Sequence, residues 1–192
     1  MTDLAERRGV ETEVYQPAED SRLLAEAAVA QVTPDDRVLE VGTGSGYVAA
    51  TIEQEVGAHV VGCDLNPHAC EQARERGIEA ARMNLTDGFR DGAFDVVVFN
   101  PPYLPTAPDE AGDDWMEVAL SGGEDGRAVI DPFLESVGRV LAPDGYVLLL
   151  VSTLTNLEAV RNTAAGVGFS AKTVREESYP FERLTVERLD RQ

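Results

Sequence analysis

Residues 94–99 read Phe-Asp-Val-Val-Val-Phe, and the apolar residues Val96, Val97, Val98 and Phe99 follow one another with no polar alternation. A strand with one wet face alternates, so this one is buried on both faces, as happens where helices cover both sides of a parallel sheet. Residues 146–151, Tyr-Val-Leu-Leu-Leu-Val, repeat the pattern. Such strands, interleaved with stretches at helical spacing, predict an α/β fold.

The first apolar run ends at Asn100-Pro101-Pro102-Tyr103. Asn100 therefore sits at the carboxyl end of a central strand, where open α/β sheets place their ligands. The two prolines have no N–H donors and hold the chain extended, leaving the Pro101 carbonyl free as an acceptor beside the Asn100 side-chain oxygen. Two acceptors with the aromatic Tyr103 make a cradle for a planar amino group. The plain alternative is a stiff strand-to-loop corner, but this residue order directly after a fully apolar strand favours the cradle.

Upstream, residues 37–41 form a short strand with Glu40 at its end, followed by Gly42-Thr-Gly-Ser-Gly46 and a helical stretch to about Val56. Alternate glycines let a ligand approach the backbone closely. Their spacing is not the Gly-x-Gly-x-x-Gly of the dinucleotide fingerprint, which speaks against a pyrophosphate ligand and a dehydrogenase. Residues 59–63 form the second strand and close on Asp64, an acid placed to accept from the ribose hydroxyls of an adenosine-containing ligand. Asn66 and Pro67 supply an N-cap and first helical residue, unless Asp64 is itself the cap. Residues 78–85 read as a third strand, with Asn84 and Leu85 at its end near an expected adenine.

The remaining pattern is a helix over 22–31 capped by Asp20 or Ser21, and a helix over 124–141 with Val129, Ile130, Phe133, Leu134, Val137 and Leu141 on one face. Pro143-Asp-Gly145 then turns the chain into the strand at 146–151, and a helix over 156–165 precedes strands at 171–176 and 184–189. The long loop 104–123 holds Trp115 and Met116 and is expected to meet substrate. Residues 1–13 are expected to be a loose tail.

Composition excludes several classes. There are 35 acidic residues against 16 basic ones, Lys172 being the single lysine, for a net charge of −19. No lysine and arginine track exists to release counterions from a phosphate backbone, so direct nucleic-acid binding is not expected. A surface so acidic repels itself at low ionic strength, which points to adaptation to a salty interior. The thermal midpoint should accordingly rise as salt approaches molar concentration; equal midpoints with and without salt would contradict this. The two cysteines, Cys63 and Cys70, have no spaced companions, so neither a disulfide framework nor a metal site is expected, and His68 beside Cys70 makes too small a ligand set. With no long apolar span and no leader pattern, the chain is expected to be a cytoplasmic protein of one domain.

The Gly-x-Gly-x-Gly turn after strand one, the acid after strand two and Asn-Pro-Pro-Tyr after strand four resemble the class I S-adenosylmethionine-dependent methyltransferases. More narrowly, the chain is similar to the HemK-like protein glutamine N5-methyltransferases, which modify the Gly-Gly-Gln loop of translation release factors. The match runs through Tyr15-Gln-Pro-Ala-Glu-Asp-Ser21, Leu39-Glu-Val-Gly42, Asp64-Leu-Asn-Pro67, Asn100-Pro-Pro-Tyr103 and Leu120-Ser-Gly-Gly-Glu-Asp-Gly126. The resemblance implies one domain over residues 1–192, a Rossmann-like three-layer sandwich whose seven-stranded, mostly parallel sheet has its last strand antiparallel. It implies S-adenosylmethionine as cofactor, held by Ser21, Glu40, Gly42, Gly44, Gly46, Asp64, Leu65, Asn84, Leu85 and Asn100, with Asn84 standing where the family often has an acid. Catalysis falls to Asn100, Pro101 and Tyr103.

The Tyr15–Ser21 motif is similar to that of the short archaeal and eukaryotic branch. That branch implies a heterodimer with a small zinc-binding activator subunit, which extends the sheet along residues 78–85. The apolar Ile78, Ala80, Met83 and Leu85 would suit such pairing better than solvent. The same cradle also fits a lysine amine or an adenine N6 amine. A cofactor-binding regulator without catalysis would keep the glycines and Asp64 but have no use for Asn100 and Tyr103.

Overall fold

Seven strands, β1 (Arg37–Val41), β2 (His59–Asp64), β3 (Glu79–Arg82), β4 (Phe94–Phe99), β5 (Leu141–Ser152), β6 (Phe169–Ser178) and β7 (Arg183–Arg191), form one sheet. Their order is β3-β2-β1-β4-β5-β7-β6, with β7 antiparallel to both its neighbours and the β1, β2, β3, β4 and β5 pairings parallel. This computed structural model describes residues 13–107 and 114–192. Apart from Glu13, the expected N-terminal tail lies outside the described residues, as do residues 108–113 of the long loop.

The unbroken apolar run of β4 does what its pattern requires. Val96 and Val98 enter one core with helices α1 (Glu19–Gln31), α2 (Tyr47–Val56) and α3 (Pro67–Glu75). Val97 and Phe99 enter the other, with α5 (Ile130–Val140) and α6 (Leu157–Gly166). Val96, Val97 and Val98 are 0% exposed, each worth roughly 1.5–3 kcal/mol of transfer free energy. The consequence for the site is rigidity: Asn100 is mounted on the best-buried strand of the sheet. Among the described residues no helix is long and apolar enough to cross a membrane.

Several local expectations are corrected. Helix α1 begins at Glu19, capped by the backbone of Ala18, so neither Asp20 nor Ser21 is its cap. Helix α5 begins at Ile130 and not at 124, because Pro132 cannot donate an N–H and so belongs in a first helical turn. Residues 124–129 form turns instead. The Pro143-Asp-Gly145 turn is a bulge within β5: Phe94 pairs with Leu141 and Val96 with Tyr146, so residues 142–145 stand against Asp95 alone. The loop 104–123 contains a short helix, α4 (Trp115–Leu120), whose cap is the Asp114 carboxylate, accepting from the N–H groups of Met116 and Glu117.

Strand β3 is four residues long and not eight. It is the sheet's edge, as expected. Its apolar residues are buried or half-buried, however, since strand side chains point to the two faces and not along the edge. Ile78 is buried and, with Ala80, packs into the α1–α3 core, whereas Met83 and Leu85 pack against the opposite one. Exposed side chains at the edge are Glu79 and Arg82.

Candidate active site

A cavity of about 210 Å³ opens at the carboxyl ends of β1, β2 and β4. Its floor is the Gly-rich turn between β1 and α2. Gly42 has φ +62°, and a Cβ there would stand 3.2 Å from the Phe99 ring, so a larger residue would be strained and would press on that ring. Gly44, also at positive φ, lines the cavity. Gly46 does not line it; it begins α2 and lies against Ala73 of α3. At φ +77°, with a Cβ that would stand 3.0 Å from Ala73 Cα, this third glycine lets α2 and α3 pack closely.

Two carboxylates brace this turn from beneath. Glu40 Oε2 accepts from Thr43 Oγ1 at 2.6 Å and from the Ala49 N–H at 3.1 Å, tying the end of β1 to both the turn and α2. Asp64 Oδ2 accepts from the Gly44 N–H and Oδ1 from the Asn66 N–H, both at 2.9 Å. Asn66 in turn caps α3, so it, and not Asp64, holds the cap position. Asp64 thus joins the glycine turn to the start of α3.

A wall comes from the N-terminal motif. The Tyr15 hydroxyl donates to Asp20 at 2.9 Å and 3.0 Å, and Ser21 donates to the same carboxylate through its N–H at 2.7 Å. Asn66 Nδ2 donates to the Glu13 carbonyl at 2.7 Å, strapping the segment across the start of α3. Tyr15, Asp20 and Thr43 line or brace the cavity and escaped sequence reasoning as site residues. Asp20 is 2% exposed, and an acid that deep needs a partner, which the Tyr15 hydroxyl supplies.

On the far side stand Leu65, Asn84 and Leu85. Leu65 is 46% exposed for so apolar a residue. Leu85 adopts φ +47°, a strained value for a branched side chain, and its carbonyl accepts from Cys63 Sγ at 3.2 Å. The thiols of Cys63 and Cys70 are both pushed up by burial and turned to backbone carbonyls. His68 Nδ1 lies 3.4 Å from Glu13.

The Asn-Pro-Pro-Tyr corner closes the cavity. Asn100 lines the cavity, and its Oδ1 is buried and takes no hydrogen bond. An orphaned acceptor of this kind costs about 1–3 kcal/mol. Pro101 and Tyr103 also line the cavity, Tyr103 at 3% exposure as part of its wall. The corner is held from outside by the 121–126 turn. Leu104 N–H donates to the Leu120 carbonyl at 3.0 Å, and Gly122 N–H donates back to the Leu104 carbonyl at 2.9 Å. A Cβ on Gly126 would come within 2.7 Å of the Tyr103 carbonyl, so only glycine lets the turn lie so close.

The methyltransferase-domain family matches residues 38–123. A Methanocaldococcus jannaschii protein, provisionally named a protein N5-glutamine methyltransferase, is 37% identical over 91% of this chain and 90% of its own. The chain belongs to the HemK-like protein glutamine N5-methyltransferases. Methyltransferase HEMK2 of Homo sapiens is 34% identical over 93% of this chain and 90% of its own. Among solved structures, the E. cuniculi Mtq2–Trm112 complex, described as methylating the eRF1 translation termination factor, has a chain 28% identical to this one. It covers 94% of this chain and 100% of its own, with a TM-score of 0.79.

The enzyme is S-adenosylmethionine-dependent, and its residues fit that cofactor. Burial pushes the Glu40 carboxyl up to about 8, against the lowering from Thr43 and Ala49, and Asp64 is likewise raised by burial. Two acids held this way beside a cavity suit a ligand that brings hydroxyl donors and positive charge. Glu40 in the ligand-free protein has a folded value above its ordinary 4.5, so the stability it gives is whole below that value and is lost as pH rises through about 8. Ligand-free wild type should therefore lose thermal midpoint between about pH 5 and about pH 9, and Glu40→Gln should flatten that fall. Parallel calorimetric profiles for the two proteins would contradict the assignment.

Proposed function

We propose that this methyltransferase transfers a methyl group to the side-chain amide nitrogen of the glutamine in the Gly-Gly-Gln motif of a translation release factor. The observation that carries the reading is Asn100, a residue of the cavity lining whose buried Oδ1 takes no hydrogen bond. An amide nitrogen is a poor nucleophile because its lone pair is delocalised into the carbonyl. With one hydrogen accepted by Asn100 Oδ1 and the other by the Pro101 carbonyl, the NH2 group is fixed in orientation and its nitrogen made more electron-rich. Tyr103 walls the group from water. A nitrogen that has gained a carbon loses its surplus proton readily to water, so no general base is needed.

S-Adenosylmethionine, when bound, supplies an electrophilic methyl on a positively charged sulfur. Asp64 would accept from its ribose hydroxyls, while Leu65 and Leu85 would cover the flat faces of its base. Glu40, Gly42, Gly44 and Ser21 would surround the amino-acid portion, and Asn84 would meet the adenine edge. Acceptance of a lysine amine or an adenine amine by the same two oxygens is chemically open. The charge of −19 weighs against a nucleic-acid substrate.

The enzyme works in the cytoplasm, and it does so with a second, small zinc-binding subunit. The E. cuniculi structure is a complex of two proteins, and β3 leaves a free edge on this chain's sheet. A partner strand laid there would meet Glu79 and Arg82, and would displace Arg74, whose guanidinium donates to the Ala80 carbonyl at 2.7 Å and 3.0 Å. The test is mass spectrometry of the release factor after incubation with the enzyme and S-adenosylmethionine, with and without the candidate subunit. One methyl on the glutamine of the Gly-Gly-Gln peptide is expected. A modified lysine, or an unmodified peptide under both conditions, would overturn the reading.

A further inference from the structure

The β6–β7 connection is a tight turn in which Tyr179 N–H donates to the Glu182 carbonyl at 2.7 Å, with Pro180 and Phe181 at its tip. Proline stiffens the first corner position, so the tip is held and not loose. Phe181 is 84% exposed, far more than any other large apolar residue described. An aromatic ring set out in water on a stiff turn gains nothing from folding, and such residues mark contact sites.

Its place on the sheet is informative. Phe99 of β4 is in register with Leu149, and Ser152 of β5 with Leu184 of β7, so the turn lies at the strand ends that form the cavity. Two contacts fix it there: Ser152 Oγ donates to Glu182 at 2.7 Å, and Arg183 N–H donates to Thr153 Oγ1 at 3.0 Å. Leu154, 40% exposed, follows in the same segment. Arg127 donates to the Thr155 carbonyl at 3.1 Å, and Thr155 packs against Gly126, the residue that presses on Tyr103.

A groove runs from the same rim between α1 and the end of β6. It is lined by Glu19, Glu26, Glu176 and Glu177 against Arg22 and Arg175, with Tyr179 at the turn. Arg175 is already paired with Glu26, leaving the groove acidic. The first turn of α1 links the two sites, since Asp20 and Ser21 line the cavity while Glu19 and Arg22 line the groove.

We propose that Phe181 and this groove form a docking surface for a basic segment of the protein substrate outside the loop that carries the acceptor glutamine. The ring of Phe181 anchors in an apolar recess of the substrate, and the groove attracts the segment's positive charge. This rests on the function proposed above and adds to it how the enzyme distinguishes a folded protein from a loop peptide.

The test compares wild type, Phe181→Ala and the double variant Glu176→Lys/Glu177→Lys on two substrates, the intact release factor and a synthetic peptide of its Gly-Gly-Gln loop. Both variants should lose about tenfold in kcat/KM on the intact factor, through KM, and stay within about twofold of wild type on the peptide. S-Adenosylhomocysteine affinity and thermal midpoint should not move. Wild-type rates on the intact factor, or equal losses on both substrates, would overturn the docking surface alone. So would a dimer of wild type, seen by sedimentation, that Phe181→Ala dissolves, because a second copy would then be the occupant. If wild type methylates neither substrate, the function and the docking surface fall together.

Discussion

An Asn100→Ala variant will turn over about 10²–10³-fold more slowly than wild type while binding S-adenosylhomocysteine within about threefold of it. The expectation follows from what Asn100 Oδ1 does in the ligand-free protein, which is to sit buried without a hydrogen bond. Removing a group that already has a partner damages the fold; removing this one relieves an unpaid desolvation of about 1–3 kcal/mol. The variant should melt at or slightly above the wild-type temperature, by roughly 2–4 °C per kcal/mol gained. A lower midpoint together with lost activity would mean that Asn100 is structural. Slow turnover at unchanged or raised stability, with the donor still bound, separates a substrate-gripping residue from both a core residue and a cofactor ligand. Single-turnover rates, calorimetry and a binding titration on the same preparation decide among these.

The second large effect is on cofactor affinity. Asp64→Ala should weaken S-adenosylhomocysteine about a hundredfold, or about 2.7 kcal/mol, as measured by titration calorimetry. Asp64 accepts from Gly44 and Asn66 at once, so its loss removes the proposed ribose acceptor and also frees the glycine turn from α3. Asp64→Asn tests which of these dominates. Its amide can accept from only one of the two N–H groups and must turn its NH2 toward the other or toward the ligand. An affinity for Asn nearly as poor as for Ala is expected, whereas wild-type affinity in either variant would remove Asp64 from the site.

How much of this was legible beforehand varied with how local the cause is. Strand β4 could be read because burial on both faces leaves a pattern in consecutive residues, and the position of Asn100 at its end follows from the strand itself. The same holds for Asn66 and Pro67, whose capping roles depend on residues two apart. Strand β3 is the expected edge but shorter than its apolar pattern suggests, because the apolar residues beyond it pack into the two faces of the sheet. Helix α5 starts later than its apolar spacing alone suggests, because Pro132 belongs in the first turn.

The site showed the same division. Gly46 fits the motif by spacing, and only the approach of Ala73 from α3 reveals that it also lets two helices pack closely. Thr43 and Asp20 carry no local signal of their roles, since their partners Glu40 and Tyr15 come together through the turn and the strap. The Leu120–Gly126 motif was legible as a motif but not as a prop, because the close approach of Gly126 to the Tyr103 carbonyl joins segments with no common periodicity. Phe181 was invisible for a different reason: an apolar residue in a charged hairpin reads as ordinary until its exposure and its place at the cavity end of the sheet are known.

The most direct measurement is a crystal structure of the enzyme with S-adenosylhomocysteine and a Gly-Gly-Gln peptide. The glutamine side-chain nitrogen should lie within hydrogen-bonding distance of both Asn100 Oδ1 and the Pro101 carbonyl. A glutamine bound elsewhere, or an Asn100 oxygen turned into the protein and satisfied there, would contradict the account.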